Sequence, residues 1–207
     1  MATIDFYWDI GSTNTYFALH LIRPIAAKHG ARIVMRPFNL GFVFRHHNYV
    51  LRDEPAAKLR NRGRDLARWA EKYGLPFRVP DRFPIKTSRP LRGALAAREL
   101  GAETPYVDAI FARYWERNDA SITEVEGMRA VAAEVGLDPD TFVALCDGPG
   151  MRQALIDETQ AALARGVFGA PSFFIGDELF WGKDRMEFID DELSRLGQTT
   201  RNKEKPA

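Results

Sequence analysis

The sequence predicts an α/β fold in which a large, entirely helical block separates two shorter parts that carry the β-strands. Strand patterns rich in aromatic and branched residues lie near both ends of the chain, at residues 4–10, 32–37, 172–175 and 178–181. Between them, residues 54–165 show the apolar spacing of helices. The predicted order is therefore β-α-β, a helical block, and then α-β-β-α.

The N-terminal part predicts a strand–helix–strand unit. Gly11 ends the first strand, Ser12 or Thr13 is a suitable N-cap for a helix over residues 15–29, and Gly30 ends that helix. The second strand, residues 32–37, follows directly. Because a crossover through a helix joins parallel strands, we expect these two strands to be parallel neighbours.

The helical block and the C-terminal part follow without a low-complexity linker. Gly176 and Asp177 join the last two strands in a tight hairpin. A closing helix is expected at residues 184–196, and the polar, non-periodic residues 197–207 are predicted to be disordered. The predicted helices of the block cover residues 55–73, 90–100, 106–115, 123–135, 139–145 and 151–165.

The charge of the chain limits the classes of partner. A net charge of +1 excludes strong attraction of the whole molecule to nucleic acid or to a membrane surface. The charge is unevenly distributed, since residues 45–92 contain 13 Lys/Arg against 5 Asp/Glu. Such a stretch is typical of a solvated helix face, and it is also suited to line a site for an anionic small molecule.

The single cysteine, Cys146, indicates a reducing compartment, because it has no partner for an internal disulfide. With no signal-peptide pattern at the start of the sequence, we expect a cytoplasmic protein. Cys146 follows apolar residues in a helical pattern and is interpreted as a small buried residue rather than a nucleophile. The four histidines lack the spacing of metal ligands, so no metal site is predicted.

Residues 166–175 form the most informative segment. A helix ends at Gly166, a turn follows, and an apolar strand opens with Pro171. Proline has no N–H for a sheet ladder, and the bond before it adopts the cis form at low cost. If the Ala170–Pro171 bond is cis, the backbone of Ala170 can bind an extended peptide as a strand would. An ordinary turn before a buried strand is the simpler alternative.

This arrangement, with a proline at the start of a hairpin strand, resembles a thioredoxin fold that carries an inserted helical domain. Disulfide oxidoreductases with such an insertion have Cys-x-x-Cys at the start of the first helix. Here that position has the sequence Ser12-Thr13-Asn14-Thr15. Because hydroxyls do not replace thiols in disulfide exchange, that activity is excluded.

A set of short motifs covers nearly the whole chain. It consists of Asp5-Phe6-Tyr7, Ser12 and Tyr16, Arg36-Pro37-Phe38, Lys58, Asp65-Leu66, Arg68-Trp69-Ala70, residues 166–171 and residues 179–186. With these motifs the chain resembles the kappa-class glutathione transferases and the related 2-hydroxychromene-2-carboxylate isomerases, and residues 180–185 favour the isomerases. The resemblance implies a thioredoxin-like, glutathione-binding domain of residues 1–46 and 166–196, with residues 47–165 as the inserted helical domain.

The resemblance implies that Ser12 is the catalytic residue and that its hydroxyl faces the sulfur of bound glutathione. A hydrogen-bond donor at a helix N-terminus favours a thiolate over a thiol. The simpler role of Ser12 is that of a helix N-cap. Relatives usually have a proline directly after this serine, whereas this chain has Thr13. Either Thr13 or Thr15 is therefore an alternative donor.

The other glutathione contacts are also carried over from the resemblance. Ala170 and Pro171 would hold the cysteinyl part, Trp181, Gly182, Lys183 and Asp184 the γ-glutamyl end, and Lys58 and Asn48 the glycyl end. Each has a simpler interpretation as a turn, a helix cap or a solvated surface residue. Candidates for a substrate carboxylate are Arg45 and Arg89, followed by Lys86 and Arg92. The aromatic residues expected to form an apolar substrate wall are Trp8, Tyr16, Phe42 and Phe44.

We therefore interpret the chain as a glutathione-dependent isomerase that interconverts 2-hydroxychromene-2-carboxylate and trans-o-hydroxybenzylidenepyruvate, or a related aromatic acid, in aromatic catabolism. In the reaction that the resemblance implies, the glutathione thiolate adds transiently to the conjugated system, so that rotation and elimination follow. One alternative is a kappa-like glutathione transferase, which would leave the thioether in place. A second is a non-catalytic thioredoxin-like binding module. The resemblance also implies a homodimer.

Overall fold

The computed structural model describes residues 1–50 and 54–203, with side chains up to residue 198. Its four strands are β1 (Thr3–Trp8), β2 (Arg32–Pro37), β3 (Ser172–Ile175) and β4 (Glu178–Trp181). The helices are α1 (Thr13–His29), α2 (Leu40–His46), α3 (Ala56–Tyr73), α4 (Ser88–Glu99), α5 (Glu103–Trp115), α6 (Val125–Glu134), α7 (Pro139–Asp147), α8 (Pro149–Ala164) and α9 (Met186–Lys203), with a short 3₁₀ helix at Ala120–Thr123.

The strands form one mixed sheet in the order β2-β1-β3-β4. The strands β1 and β2 are parallel, as the crossover through α1 predicts, and Phe6 is paired with Met35. The strand β3 is antiparallel to β1, with Phe173 beside Phe6, and β4 is antiparallel to β3. The rings of Phe6 and Phe173 stack with centroids 4.7 Å apart, which joins the N-terminal and C-terminal parts of the chain in one sheet.

The two faces of the sheet are both covered. Because side chains alternate along a strand, Phe6 and Trp8 face the large core that α1, α9 and the helical block complete. Tyr7 faces the opposite side, in a smaller cluster with Val43 of α2 and Ala162 of α8. The C-terminal end of β1 therefore lies between the two clusters that cover the faces of the sheet. The turn that leads into α1 begins at this end.

Within the helical block, α4 packs against α5, α7 and α8. Cys146 on α7 is buried in this core, as expected, and burial raises the pKa of its thiol to about 11. The thiol is thus held in its uncharged form at neutral pH. None of the helices in the described residues is long and apolar enough to cross a membrane.

Two elements differ from the sequence predictions. The helix α2 is not among the predicted elements, because its seven residues are too few to show a helical period, although Asn39 caps it by accepting from the Phe42 N–H at 2.8 Å. The helix α9 begins at Met186 rather than at residue 184, and it continues to Lys203. Residues 197–203, predicted to be disordered, are therefore helical, and residues 204–207 lie outside the described part of the chain.

Candidate active site

A cavity of about 660 Å³ lies between the first turn of α1 and the first turns of α3. Its walls come from residues 11–14, from α2 and the turn that follows it, from α3, and from residues 168–170 with Trp181. The volume falls within the range of about 300–1,000 Å³ that is common for small-molecule sites. The cavity thus lies where the thioredoxin-like part of the chain meets the helical block.

Ser12 lies at the junction of β1 and α1, and it caps α1. Its hydroxyl oxygen accepts a hydrogen bond from the Thr15 N–H at 3.3 Å and donates one to the carbonyl oxygen of Ala170 at 3.0 Å. The residue is 8% exposed and lines the cavity. Ser12 therefore combines the role of an N-cap with that of a hydrogen-bond donor at the edge of a cavity.

The neighbouring threonines occupy different positions. Thr13 lines the cavity together with Ser12. Thr15 is fully buried and is not among the lining residues, and its hydroxyl has no hydrogen-bond partner among the residues that the structure describes. Of the two alternatives to Ser12, only Thr13 has access to the cavity.

The Ala170–Pro171 peptide bond is cis, and Ala170 lines the cavity opposite Ser12. The carbonyl oxygen of Pro171 accepts from the Gly182 N–H at 3.0 Å, so this segment is held to the end of β4. Gly169 is in close contact with Trp181, since a Cβ at position 169 would lie 2.6 Å from Trp181 Nε1. The indole ring of Trp181 thereby lies along the segment and forms part of the same wall.

A buried carboxyl group supports this turn, and the sequence prediction missed it. The carboxylate of Asp9 accepts from the N–H groups of Gly11 at 2.8 Å and Leu40 at 2.9 Å, and from the Thr87 hydroxyl at 3.1 Å. Burial raises the pKa of Asp9 to about 6, although these three donors favour its ionised form. Asp9 thus links the turn before Ser12 to the starts of α2 and α4.

A charged cluster on α3 and just before it also lines the cavity. The carboxylate of Glu54 accepts from Lys58 Nζ at 3.1 Å, from the guanidinium of Arg62 and from the Tyr49 hydroxyl at 3.1 Å. The hydrogen bond from Lys58 holds the pKa of Glu54 below its ordinary value. Lys58 was predicted to belong to the site, whereas Glu54, Arg62 and Tyr49 were not. Glu54, Lys58 and Arg62 follow one another in steps of four residues, and this spacing is the sequence signal that was available.

The predicted γ-glutamyl contacts beyond Trp181 do not line the cavity themselves. Lys183 Nζ lies 4.5 Å from the ring centroid of Trp69 and 3.7 Å from the Asp65 carboxylate, and burial lowers the pKa of Lys183. The Asp184 carboxylate pairs with Arg185 at 3.1 Å. Gly182 lies between Trp181, which lines the cavity, and these two residues, and its φ of 113° is in the left-handed region. The side chain of Lys183 therefore holds α3 against the end of β4.

Three further predicted residues lie outside the cavity lining. Arg89 donates to the Asp147 carboxylate at 3.1 Å and to the Thr123 carbonyl oxygen at 2.8 Å, so its guanidinium joins helices of the helical block. Arg45 lies at the exposed end of α2, with its guanidinium carbon 6.0 Å from the Phe42 ring centroid. Asn48 is exposed in a left-handed conformation, between two residues that do line the cavity.

The apolar wall differs from the one expected. Trp8 and Tyr16 are completely buried in the core, where the Tyr16 hydroxyl donates to Glu116 at 3.1 Å, because both side chains point to the core side of their elements. Phe42 is largely exposed and is not a lining residue, whereas Phe44 is one. The apolar lining residues that the sequence did not predict include Tyr49, Val79, Phe83 and Phe168.

Comparison with known proteins identifies the family. A family model described as a DSBA-like thioredoxin domain matches residues 3–194. The chain belongs to this family. The predicted thioredoxin-like fold with a helical insertion is therefore confirmed.

The comparisons also confirm the narrower resemblance. A 2-hydroxychromene-2-carboxylate isomerase from Sphingobium xenophagum is 32% identical over 193 residues, which cover 92% of this chain and 97% of that protein. Glutathione s-transferase kappa 2 from Caenorhabditis elegans is 25% identical over 98% of this chain and 96% of its own length. A solved structure of a 2-hydroxychromene-2-carboxylate isomerase superposes with a TM-score of 0.86 at 27% identity, covering 98% of this chain and 100% of that one.

Proposed function

We propose that this protein is a glutathione-dependent isomerase that interconverts 2-hydroxychromene-2-carboxylate and trans-o-hydroxybenzylidenepyruvate, or a related aromatic acid, in aromatic catabolism. The observation that carries the proposal is that the Ser12 hydroxyl pairs with the Ala170 backbone in the lining of a cavity that Lys58 also lines. The isomerase relatives support the reaction, and the kappa relative supports glutathione.

The residues present fit glutathione. Ser12, Ala170, Lys58 and Trp181 line a single cavity, which offers a hydroxyl and a backbone segment for the cysteinyl part and a cation for the glycyl carboxylate. Of the remaining proposed contacts, Pro171, Gly182 and Asn48 adjoin lining residues in the sequence, and Lys183 and Asp184 follow Gly182. When bound, glutathione would supply a thiolate that adds reversibly to the conjugated double bond of the substrate.

The contribution of Ser12 is to favour the ionised sulfur. Its hydroxyl lies at the N-terminus of the 17-residue α1, where the helix dipole stabilises negative charge. A hydroxyl that donates to a thiolate lowers the pKa of the corresponding thiol. The hydroxyl proton that now points to the Ala170 carbonyl oxygen is the one available for this role.

The contribution of the apolar wall is to hold the aromatic substrate beside this hydroxyl and to exclude water. The rings of Phe168 and Trp181 pack with centroids 5.2 Å apart, and both line the cavity, with Phe83 also among the lining residues. Apolar surfaces with few polar groups are typical of sites for aromatic ligands. We include in the proposal a cytoplasmic location, which rests on the single Cys146, and a homodimer, which rests on the resemblance.

Product analysis tests the proposal against its alternatives. The protein is incubated with glutathione and trans-o-hydroxybenzylidenepyruvate, the absorbance is followed, and the products are analysed by mass. Accelerated interconversion without a gain in mass supports the isomerase. A stable glutathione adduct would indicate the transferase, which the kappa relative makes the second candidate. If calorimetry detects no glutathione binding, both enzymes are excluded and the binding module remains.

A further inference from the structure

One face of α3, together with a residue just before the helix, has four side chains along the cavity in steps of four residues. These are Glu54, Lys58, Arg62 and Leu66, which all line it. From Lys58 onward the exposure falls along the helix, since the side chains of Lys58 and Arg62 are 64% and 34% exposed and Leu66 is 5% exposed. Between Lys58 and Leu66 the stripe therefore runs from the exposed mouth of the cavity towards its interior, with Arg62 in the middle.

The charges of this stripe do not balance. Glu54 is the acidic group for both cations, and its side chain is only 10% exposed because Tyr49 also covers it. Two cations share one carboxylate, so the lining residues that the structure describes carry an excess positive charge. The lining therefore favours a ligand that carries negative charge.

The two cations are not equivalent. Lys58 is the outer one, and in the proposed function it holds the glycyl carboxylate of glutathione. Arg62 is the inner one, and a guanidinium presents a planar fork of donors that matches a carboxylate in a bidentate manner. Among the described residues, Glu54 is its ion-pair partner. Within the stripe, Arg62 lies one helical turn from the buried Leu66, whereas Lys58 lies nearer to solvent.

We propose that Arg62 binds the carboxylate of the aromatic substrate that enters beside glutathione. This carboxylate replaces the Glu54 carboxylate on the Arg62 guanidinium. The proposal rests on the proposed function for the identity of the ligand, a planar aromatic or unsaturated acid. It assigns to Arg62 the role that the sequence suggested for Arg45 and Arg89. Arg89 is engaged with Asp147, and neither of the two lines the cavity.

Equilibrium binding separates this proposal from the proposed function. The probes are trans-cinnamate and its neutral counterpart trans-cinnamamide, titrated into the intact protein by calorimetry with and without saturating glutathione. In Arg62→Gln we expect the affinity for cinnamate to fall about tenfold, because a charge-assisted hydrogen bond is lost, while the affinity for cinnamamide stays the same. In Glu54→Gln we expect cinnamate to bind several-fold more tightly, because the competing internal carboxylate is gone.

The matched control is Arg60→Gln, which removes an exposed arginine of the same helix that does not line the cavity. It is expected to bind both probes as the wild type does. Should Arg62→Gln fail to fold by circular dichroism, Arg62→Lys keeps the charge, loses the fork, and is expected to show a smaller loss for cinnamate alone.

Several outcomes would overturn the proposal. They are unchanged cinnamate binding in the Arg62 variants, an equal loss for both probes, weaker cinnamate binding in Glu54→Gln, or no cinnamate binding by the wild type. None of these measurements requires turnover. A protein that binds cinnamate through Arg62 but does not isomerise the benzylidenepyruvate would contradict the proposed function and leave the carboxylate site in place.

Discussion

The Ser12 hydroxyl donates a 3.0 Å hydrogen bond to the carbonyl oxygen of Ala170, 158 residues further along the chain. This contact joins the start of α1 to the segment before β3, and both residues line the cavity. It brings a proton donor to the backbone that would hold a peptide. The proposed function depends on this contact between Ser12 and Ala170.

The first prediction concerns the Ser12 hydroxyl. In Ser12→Ala we expect turnover to fall about hundredfold, because the donor to the developing charge on sulfur is lost, while glutathione affinity stays within several-fold. The variant also loses the N-cap of α1, so its free energy of unfolding should fall by about 1 kcal/mol. Turnover, calorimetry and urea unfolding check the three effects. Thr13→Val is the control, and if it slows turnover instead, the donor is Thr13.

The second prediction concerns pH and the buried Asp9. Its pKa is raised from 3.8 to about 6 in the folded protein. An acid with a raised pKa contributes stability at low pH, and this contribution is lost as the pH rises through the folded pKa. Relative to Asp9→Asn, the wild type should therefore lose about 3 kcal/mol of stability between about pH 4 and pH 6 and little more above. Urea unfolding at several pH values measures this, and a pH-independent difference would contradict it.

The third prediction concerns Gly182. A Cβ at this position would lie 2.5 Å from Asp184 Oδ1, and φ is 113°, so Gly182→Ala must displace the aspartate. We expect weaker glutathione binding, of the order of tenfold, together with a lower melting temperature. Gly176→Ala is the control, because φ is 61° there and a Cβ meets no atom within 4 Å. It should lower stability and leave glutathione affinity intact. Equal glutathione affinities in the two variants would contradict a contact between Asp184 and glutathione.

The fourth prediction compares two lysines that the sequence places in the same site. The Lys183 side chain packs on Trp69, whereas the Lys58 side chain lines the cavity. In Lys183→Met we expect the affinity for glutathione to stay within twofold, since this side chain does not line the cavity. In Lys58→Met we expect it to fall about tenfold. Calorimetry measures the glutathione affinity of both variants. A larger loss of affinity in Lys183→Met than in Lys58→Met would contradict the proposed position of the glutathione site.

Local patterns predicted much of the fold and one end of the site. The hairpin at Gly176, the cap at Ser12 and the strand that follows Pro171 all depend on residues that are neighbours in the sequence, and the structure shows all three. Contacts between distant residues were not predictable in this way. The partner of Arg89 is Asp147, 58 residues away, and nothing near Arg89 indicates it.

The same limit explains the aromatic residues and the acidic ones. An aromatic side chain beside the turn before α1 faces either the core or the cavity, and for Trp8 the alternation along β1 places it in the core. Asp9 was not predicted because groups that donate hydrogen bonds to it come from other elements. Glu54 was not predicted because only the fold shows that it lines the cavity. The four-residue spacing of Glu54, Lys58, Arg62 and Leu66 can be seen in the sequence, but only the fold shows that these side chains line the cavity.

The most direct test of the central claim is the rate of benzylidenepyruvate interconversion with glutathione, with S-methylglutathione and without either. If a free sulfur beside Ser12 is required, the wild-type protein accelerates interconversion only with glutathione, and no product gains mass. Blocking the sulfur with a methyl group should abolish the acceleration. Equal acceleration with S-methylglutathione, or without any glutathione, would contradict the account.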